Sequence, residues 1–220
     1  MTTALTPLPD VKNRSETIAQ TIRQHIISGH FQPEDTLVDR RIAEELGVSK
    51  TPVREALLLL QHTGLVTTTP TRRMKVASLT RDDVFHIFQQ RALLEPWAVL
   101  HSEITSEAIV AARAALTNAT QARTNEDGAG AALANRDFHH ALYSQCTNPY
   151  IVTSLDGLQD LTALATASVI WNDDDRAETD HVGHEVILDS VAAGQLEEAA
   201  KMLEKHIFAW IGPPLKPRSA

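Results

Sequence analysis

The sequence predicts a mostly α fold, in which an N-terminal winged helix-turn-helix is followed by an all-α antiparallel helical bundle. Apolar residues recur at helical spacing in both halves of the 220-residue chain. A threonine- and valine-rich stretch with Pro70 in its middle, residues 65–78, predicts a short two-stranded hairpin. Residues 1–80 hold ten Lys/Arg against eight Asp/Glu, whereas residues 81–220 hold ten against twenty. We therefore expect two domains, residues 13–78 and residues 79–211.

The composition excludes several classes of protein. Hydrophobic residues make up 43% of the chain and charged residues 22%, which is typical of globular proteins and not of collagen-like or wholly disordered ones. No apolar run approaches the roughly 18–20 residues that span a bilayer, and the first residues lack the apolar segment of a secretion signal. Cys146 is the single cysteine, so no intramolecular disulfide can form. We expect a cytoplasmic protein with no membrane partner.

The first three predicted helices are short and closely spaced. Ser15 is a candidate N-cap for a helix that continues to about His30. A second helix covers about Arg40–Leu46 and stops at Gly47. A third runs from about Thr51 to Thr63 and precedes the predicted hairpin. This order of elements indicates a winged helix-turn-helix.

The third predicted helix has an apolar face and a polar start. Val53, Leu57 and Leu60 share one face, and we expect them to pack with Ile26 and Ile42. The polar start then faces outward, where it can enter the major groove of DNA. It consists of Ser49, Lys50, Thr51 and Arg54. Arginine can bind guanine through two hydrogen bonds, whereas lysine and hydroxyl groups suit phosphates. On pattern alone, a helical hairpin with a solvated basic face is the alternative.

The predicted hairpin, or wing, adds positive charge through Arg72, Arg73 and Lys75. The stretch DRRIAEELGVSKTPVREALLLLQHTGLV, residues 39–66, resembles the winged-helix reader of GntR-family repressors, and the resemblance extends over about residues 15–78. It implies DNA contacts assisted by the wing. The residues at the matching positions are Arg40, Ser49, Lys50, Thr51 and Arg54.

Two features depart from the pattern of this family. Members often carry glycine at the wing tip, where this chain has Arg72 and Arg73. An arginine there can enter a narrow minor groove and alter the sequence preference. Leu58 and Leu59 occupy positions that are commonly polar. We expect them either to dock against the second domain or to widen the apolar stripe of their own helix.

From Thr80 onward the pattern is helical almost to the end of the chain. The predicted helices cover about 80–104, 106–125, 129–146, 149–171, 176–193 and 195–210. Connections this short favour antiparallel neighbours in a bundle.

Three histidines of this domain lie on apolar faces of three different helices: His139, His184 and His206. Inward histidines of a bundle can converge on one divalent ion, and imidazole suits zinc or nickel. His181, one turn before His184, is a second candidate ligand. The alternative is that each is a core histidine with a backbone or carboxylate partner.

The segments RALLEPWAVL and NRDFHHALYSQCTNP, with the 22-residue spacing of His184 and His206, resemble the FCD effector domain, the all-helical C-terminal domain of the FadR subfamily. The resemblance covers about residues 80–210. Metal-binding members use an aspartate four residues before the first histidine. The resemblance therefore implies a ligand set of Asn135, His139, His184 and His206, with a neutral amide in the position of the carboxylate.

Arg91 lies on the apolar stripe of the first helix of this domain, so we expect its side chain to turn inward. A buried guanidinium needs a partner. Glu95, one turn later, is one candidate, and the carboxylate of a bound effector is the other. Effectors in the resembled family are often small organic acids, which implies an acid held by Arg91 and by the open positions of the metal.

These features favour a transcriptional regulator, with repression as the commoner mode in the family, whose operator affinity is controlled by a small organic acid. We expect a homodimer, because a two-fold dimer matches a palindromic operator. Two other classes stay open: a metal-dependent, hydrolase-like enzyme that uses the three histidines, and a helical adaptor without DNA affinity. The sequence contains no HExxH, GxSxG, Walker or GxGxxG motif.

Overall fold

Three helices and a two-stranded hairpin form the N-terminal part of the fold, which we call the reader. The structure is a computed structural model that describes residues 12–167 and 174–210. The elements of the reader are α1 (Lys12–Ile27), α2 (Asp39–Leu46), α3 (Lys50–His62), β1 (Val66–Thr68) and β2 (Met74–Val76). The two strands pair antiparallel, with Val66 opposite Val76.

The apolar core of the reader confirms the packing that the sequence predicts. Val53, Leu57 and Leu60 of α3 are buried together with Ile26 and Ile42. Gly47 ends α2, as predicted, in the left-handed region with φ 63°. Glycine adopts this conformation without steric cost, so the chain turns sharply from α2 into α3.

Two expectations about the reader are wrong. Ser15 is not an N-cap, because α1 is already helical at Lys12 and Ser15 lies buried inside it. Leu58 and Leu59 neither dock nor join the core, since they are 51% and 44% exposed. The buried stripe of α3 follows positions 53, 56, 57 and 60, and this spacing turns residues 58 and 59 away from the core.

Within residues 81–167 and 174–210, six helices form the C-terminal bundle: α4 (Arg81–Leu100), α5 (Ser106–Thr124), α6 (Gly128–Tyr143), α7 (Pro149–Ala165), α8 (Asp174–Ala192) and α9 (Leu196–Ala209). Helix α4 contacts α7 and α9, α5 contacts α6 and α8, α6 contacts α7, and α8 contacts α9. None of the helices within the described ranges is long and apolar enough to cross a membrane.

Tertiary contacts shift the ends of several predicted helices. The helix predicted over 129–146 ends at Tyr143, because Cys146 instead forms a backbone bridge with Ser102 after α4. The helix predicted over 149–171 is regular to Ala165, and its predicted end lies outside the described residues. The predicted domain boundary between residues 78 and 79 falls in the connection between β2 and α4.

A capping box fixes the first turn of α4, the helix that carries Arg91. The side chain of Thr80 accepts a hydrogen bond from the backbone N–H of Asp83, and the carboxylate of Asp83 accepts one from the N–H of Thr80. The side-chain hydrogen bond from Thr80 also lowers the pKa of Asp83.

The reader and the bundle meet along α1. This helix packs against α6 and α7. Ile27 of α1 clusters with Ala132 of α6 and Ala163 of α7. Leu164 of α7 belongs to the core of the reader itself. The two parts of the chain therefore share a continuous apolar contact.

Candidate functional site

The N-terminal turn of α3 presents the polar residues that the sequence assigns to DNA. Ser49 precedes the helix in an extended conformation, with φ −75° and ψ 161°. Lys50, Thr51 and Arg54 follow it, and all four residues are exposed. Val53 on the opposite face is fully buried and holds the helix against the core. The polar turn is therefore accessible to a groove of DNA.

Arg54 and Arg40 take part in exposed ion pairs. Nε of Arg54 lies 3.7 Å from Oδ2 of Asp39, and Nε of Arg40 lies 2.8 Å from Oε1 of Glu44. Exposed pairs of this kind contribute about 0–1 kcal/mol. Either guanidinium can therefore exchange its carboxylate partner for a phosphate or a base edge at little cost.

The tip of the wing contains a non-glycine residue in a conformation that favours glycine. Arg72 has φ 60°, in the left-handed region, at the place where the family resemblance leads one to expect glycine. Arg72 and Arg73 are both exposed. Lys75 is less available, because its Nζ lies 2.5 Å from Oε2 of Glu34. The free positive charge of the wing is thus concentrated at its tip.

A cleft of about 510 Å³ lies between the wing, α2 and α3. Arg54 of α3 and Arg72 and Arg73 of the wing all line it, together with apolar side chains such as Leu57 and Met74. The structure therefore brings three of the arginines predicted to contact DNA to one concave surface. Asp39, the ion-pair partner of Arg54, also lines the cleft, so the three arginines leave it with a net positive charge. A concave surface with an excess of positive charge attracts phosphate groups.

Three histidines converge inside the bundle from α6, α8 and α9. One ring nitrogen each of His139, His184 and His206 lies within 4.8 Å of the others. Nε2 of His139 and Nε2 of His184 are 3.2 Å apart. Two nitrogen ligands of a tetrahedral zinc ion are about 3.3 Å apart, so this donor set fits a first-row divalent ion. The side chain of the second candidate, His181, lies outside the described residues.

Glu95 orients the His139 ring from behind. Its Oε2 lies 2.9 Å from Nδ1 of His139, which places the carboxylate in close electrostatic contact with the ring. Nε2 of His139 is left to face His184. Burial raises the pKa of Glu95, but the charge of the Arg91 guanidinium, together with the contact to His139, outweighs burial and lowers this pKa to about 2. A carboxylate behind a metal-binding histidine fixes the ring and raises its basicity.

Arg91 turns inward and is 2% exposed. Its Nε donates to Oε1 of Glu95 at 2.7 Å, and its Nη1 lies 3.4 Å from Oγ1 of Thr162. Of the two partners that the sequence predicts for Arg91, the structure shows Glu95. Gln159 of α7 donates a second hydrogen bond to the same oxygen of Glu95. The network joins α4, α6 and α7.

A small cavity of about 10 Å³ adjoins the histidines. Its lining comprises Phe88, Arg91, Asn135, His139, Thr162, Thr166, His206, Ile207 and Trp210. The structure therefore brings Arg91 and Asn135, which the sequence assigns to an effector and to a metal, to one place beside the histidines. In this state the cavity has room for about one water molecule.

Sequence reasoning missed two kinds of residue at this centre. A Cβ on Gly183 of α8 would lie 2.9 Å from Nδ1 of His206, so only glycine lets that ring lie against α8. No pattern in the sequence indicates this contact. Gln159 and Thr162, in contrast, are polar residues on the buried side of α7, at i+4 and i+7 from Leu155. That interruption of an apolar stripe is a signal that could have found them.

Two family models match the chain. The model described as bacterial regulatory proteins, gntR family, matches residues 14–76, and the FCD domain model matches residues 86–209. The first match covers the reader and the second covers most of the bundle.

Curated relatives and a solved structure agree with these matches. The uncharacterized HTH-type transcriptional regulator YdhC of Bacillus subtilis (strain 168) is 30% identical over 192 residues, which span 86% of this chain and 83% of that protein. The HTH-type transcriptional repressor GlaR of Escherichia coli (strain K12) is 26% identical over 202 residues, or 85% and 89% of the two chains. The crystal structure of a GntR transcriptional regulator from Rhodococcus sp. RHA1 superposes with a TM-score of 0.69 at 25% identity, covering 89% of this chain and 94% of that chain. The chain therefore belongs to the GntR family of DNA-binding transcriptional regulators, which are not enzymes, and to its FadR-like group with an FCD effector domain.

Proposed function

We propose that this GntR-family regulator is a cytoplasmic repressor that binds a palindromic operator as a homodimer. A small organic acid, bound in the FCD domain next to a divalent ion, controls its affinity for DNA. The proposal rests on the presence of two sites in the same chain. The reader has a cleft with three arginines, and the FCD domain has a three-histidine centre with Arg91 beside it. The comparisons give no support to the alternative of a hydrolase-like enzyme.

The reader contacts DNA through two elements in this proposal. Arg54 reaches base edges in the major groove, because it projects from the first exposed turns of α3. Arg72 and Arg73 extend the contact from the wing to an adjacent groove. The remaining contacts are to phosphates, from Arg40, Ser49, Lys50 and Thr51.

The FCD domain holds the ion and the acid between α4, α6, α7, α8 and α9. His139, His184 and His206 bind the divalent ion, zinc or nickel, and the amide oxygen of Asn135 is a weak fourth ligand. The ion supplies positive charge and open coordination positions for the carboxylate of an acid. Arg91 is the second anchor. Its contacts to Thr162 and to Oε2 of Glu95 are both long, at 3.4 Å, so its Nη groups can receive a carboxylate while Nε keeps its short bond to Glu95.

The dimer contact is proposed on the outer face of α4. Leu93, Trp97 and Leu100 form an apolar stripe at i, i+4 and i+7, and they are 68%, 38% and 41% exposed. A second copy of the chain can cover this stripe with its own α4 around a two-fold axis. That symmetry is the one that a palindromic operator requires.

Base reading should depend on Arg54 and general affinity on Lys50. Arg54→Ala should weaken operator binding by about 1–3 kcal/mol and relax the base preference, because a two-bond contact to a base is lost. Lys50→Ala should weaken binding to all sequences alike and reduce its dependence on salt. The measurement is fluorescence anisotropy at several salt concentrations, with duplexes selected from a random-sequence pool. Arg113→Ala, at an exposed position of α5, is the charge-matched control. Wild-type binding by both reader variants would contradict the assignment.

Metal binding should depend on the histidine centre. His184→Ala should lose the ion and the thermal stability that the ion adds, because a ligand of the folded state stabilises that state. Asn135→Asp should tighten Zn²⁺ binding by about tenfold or more, because it restores a charged ligand. The measurements are metal content after purification without a histidine tag and calorimetric Zn²⁺ or Ni²⁺ titration. His86→Ala, on the exposed side of α4, is the control. Identical titrations of wild type and His184→Ala would reduce the histidines to core packing.

Gly183 should be required for the position of His206. Gly183→Ala should lower Zn²⁺ affinity by about 10- to 100-fold, because the added methyl group displaces the His206 ring. Without such a clash, alanine would stabilise a helix by about 1 kcal/mol and leave metal binding unchanged. Gly157→Ala is the matched control, since a Cβ there makes an ordinary contact of 3.5 Å with Thr63. Equal Zn²⁺ affinity in the two variants would refute the expected clash.

Dimerisation should depend on the α4 stripe. Leu93→Glu should shift the full-length protein toward monomer, because two charged groups would be buried at the two-fold axis. Sedimentation velocity at micromolar protein concentration measures this shift. Val110→Glu changes an equally exposed apolar residue of α5 and should leave the oligomeric state unchanged. The stripe is not the interface if Leu93→Glu sediments as wild type does.

A further inference from the structure

A buried carboxylate of the FCD domain holds an arginine of the reader. Asp160 of α7 is fully buried. Nε of Arg23 on α1 lies 3.0 Å from its carboxylate, and Nε of Arg136 on α6 lies 2.5 Å from it. The side chains of Arg23 and Arg136 are only 9% and 13% exposed. Gln20 completes the site by accepting a 2.7 Å hydrogen bond from Arg23.

The surroundings make this ion pair sensitive to any movement between the domains. Ile27, Ala132 and Ala163 form an apolar cluster where α1 meets α6 and α7. A buried charge in such a contact is costly when its partner moves away. Burial alone lowers the pKa of Arg136, but the charge of Asp160 outweighs burial and raises it, so this guanidinium stays charged. A movement of α1 relative to α7 therefore breaks the pair between Arg23 and Asp160.

The same two helices also carry the network around the histidines. Arg136 directly follows Asn135 and precedes His139 by three residues on α6. Asp160 directly follows Gln159 on α7, and Gln159 donates to Glu95, which contacts His139. A shift of α6 or α7 at the histidine centre thus displaces Arg136 or Asp160 as well.

We infer that Asp160, bridging Arg23 and Arg136, couples the histidine centre to the DNA-reading turn of α3. His139 of α6 would hold a divalent ion, and the same histidine contacts Glu95, which accepts a hydrogen bond from Gln159 of α7. These helices support Arg23, and α1 in turn packs against α3. The inference rests on the proposed function, since it needs both a ligand site and a DNA site. In physical terms, α1 has two positions on the bundle, and a ligand at the histidines changes the free-energy difference between them. Any coupling between two sites requires such a difference.

The test is a coupling factor measured on the full chain with Zn²⁺ and a selected operator duplex. In wild type, saturating Zn²⁺ should change the operator Kd by about fivefold or more, and the operator should change the Zn²⁺ Kd by the same factor. Arg23→Met should reduce both factors below about twofold. Its Zn²⁺ affinity without DNA should match that of wild type, because Asp160 keeps Arg136. Arg23→Lys, which keeps the charge, should recover part of the coupling.

The control is Arg14→Met, which removes a positive charge from an exposed position of the same helix and should keep the wild-type factor. A wild-type factor in Arg23→Met, or a factor of one in wild type, overturns the inference. A wild-type protein that binds no duplex or no Zn²⁺ contradicts the proposed function instead. In that case, amide hydrogen exchange tests whether Arg23 is coupled to the histidine centre. Arg23→Met must speed exchange in α6 and α7, around residues 135–139 and 159–162, relative to Arg14→Met. Unchanged exchange at these residues overturns the inference.

Discussion

The ionised carboxylate of Glu95 sits at the centre of the bundle with no exposure to water, and the arrangement of three helices follows from its need for compensation. Arg91 supplies the opposite charge from one turn earlier on α4. Gln159 of α7 and His139 of α6 supply the remaining contacts. An apolar residue at position 95 would leave Arg91 buried without its counter-ion, so the cost of that substitution would include an unpaired guanidinium. Because the third partner is His139, the same charge that organises the helices also sets the direction in which that ring faces its neighbours.

Asp160, the residue after Gln159 on α7, is a second buried carboxylate that is compensated by arginine side chains. Consecutive residues of a helix point about 100° apart, so Gln159 serves the bundle centre while Asp160 serves the contact with the reader. Helix α7 is buried on both of these sides, and it carries polar groups on each. A helix of this kind cannot slide or rotate freely, because either movement breaks buried hydrogen bonds. That property suits a helix placed between a ligand site and a DNA-binding domain.

Local patterns in the sequence predicted much of this structure, because they depend on residues within a few turns of one another. The turn at Gly47, the buried stripe of α3 and the pairing of Arg91 with Glu95 at i+4 are of this kind. The pairing of Arg23 with Asp160 spans 137 residues and follows from the angle at which α1 crosses α7, which periodicity does not encode. The error at Ser15 has a similar origin. The apolar stripe of α1 begins only at Ile18 in the sequence, whereas the helix itself begins at Lys12.

The size of the cavity at the histidine centre bears on how a ligand could act through these helices. A space of about 10 Å³ accepts one water molecule but not a carboxylic acid, so an acid bound between Arg91 and the histidines must displace a wall. A ligand that binds equally well in both positions of the reader shifts no equilibrium, however tightly it binds. Thr162 places α7, the helix that holds Asp160, in the wall of the cavity. In the proposed mechanism, the acid can bind only when α7 moves, and α7 supports Arg23 through Asp160. The small size of the cavity therefore gives the acid different affinities for the two positions of the reader.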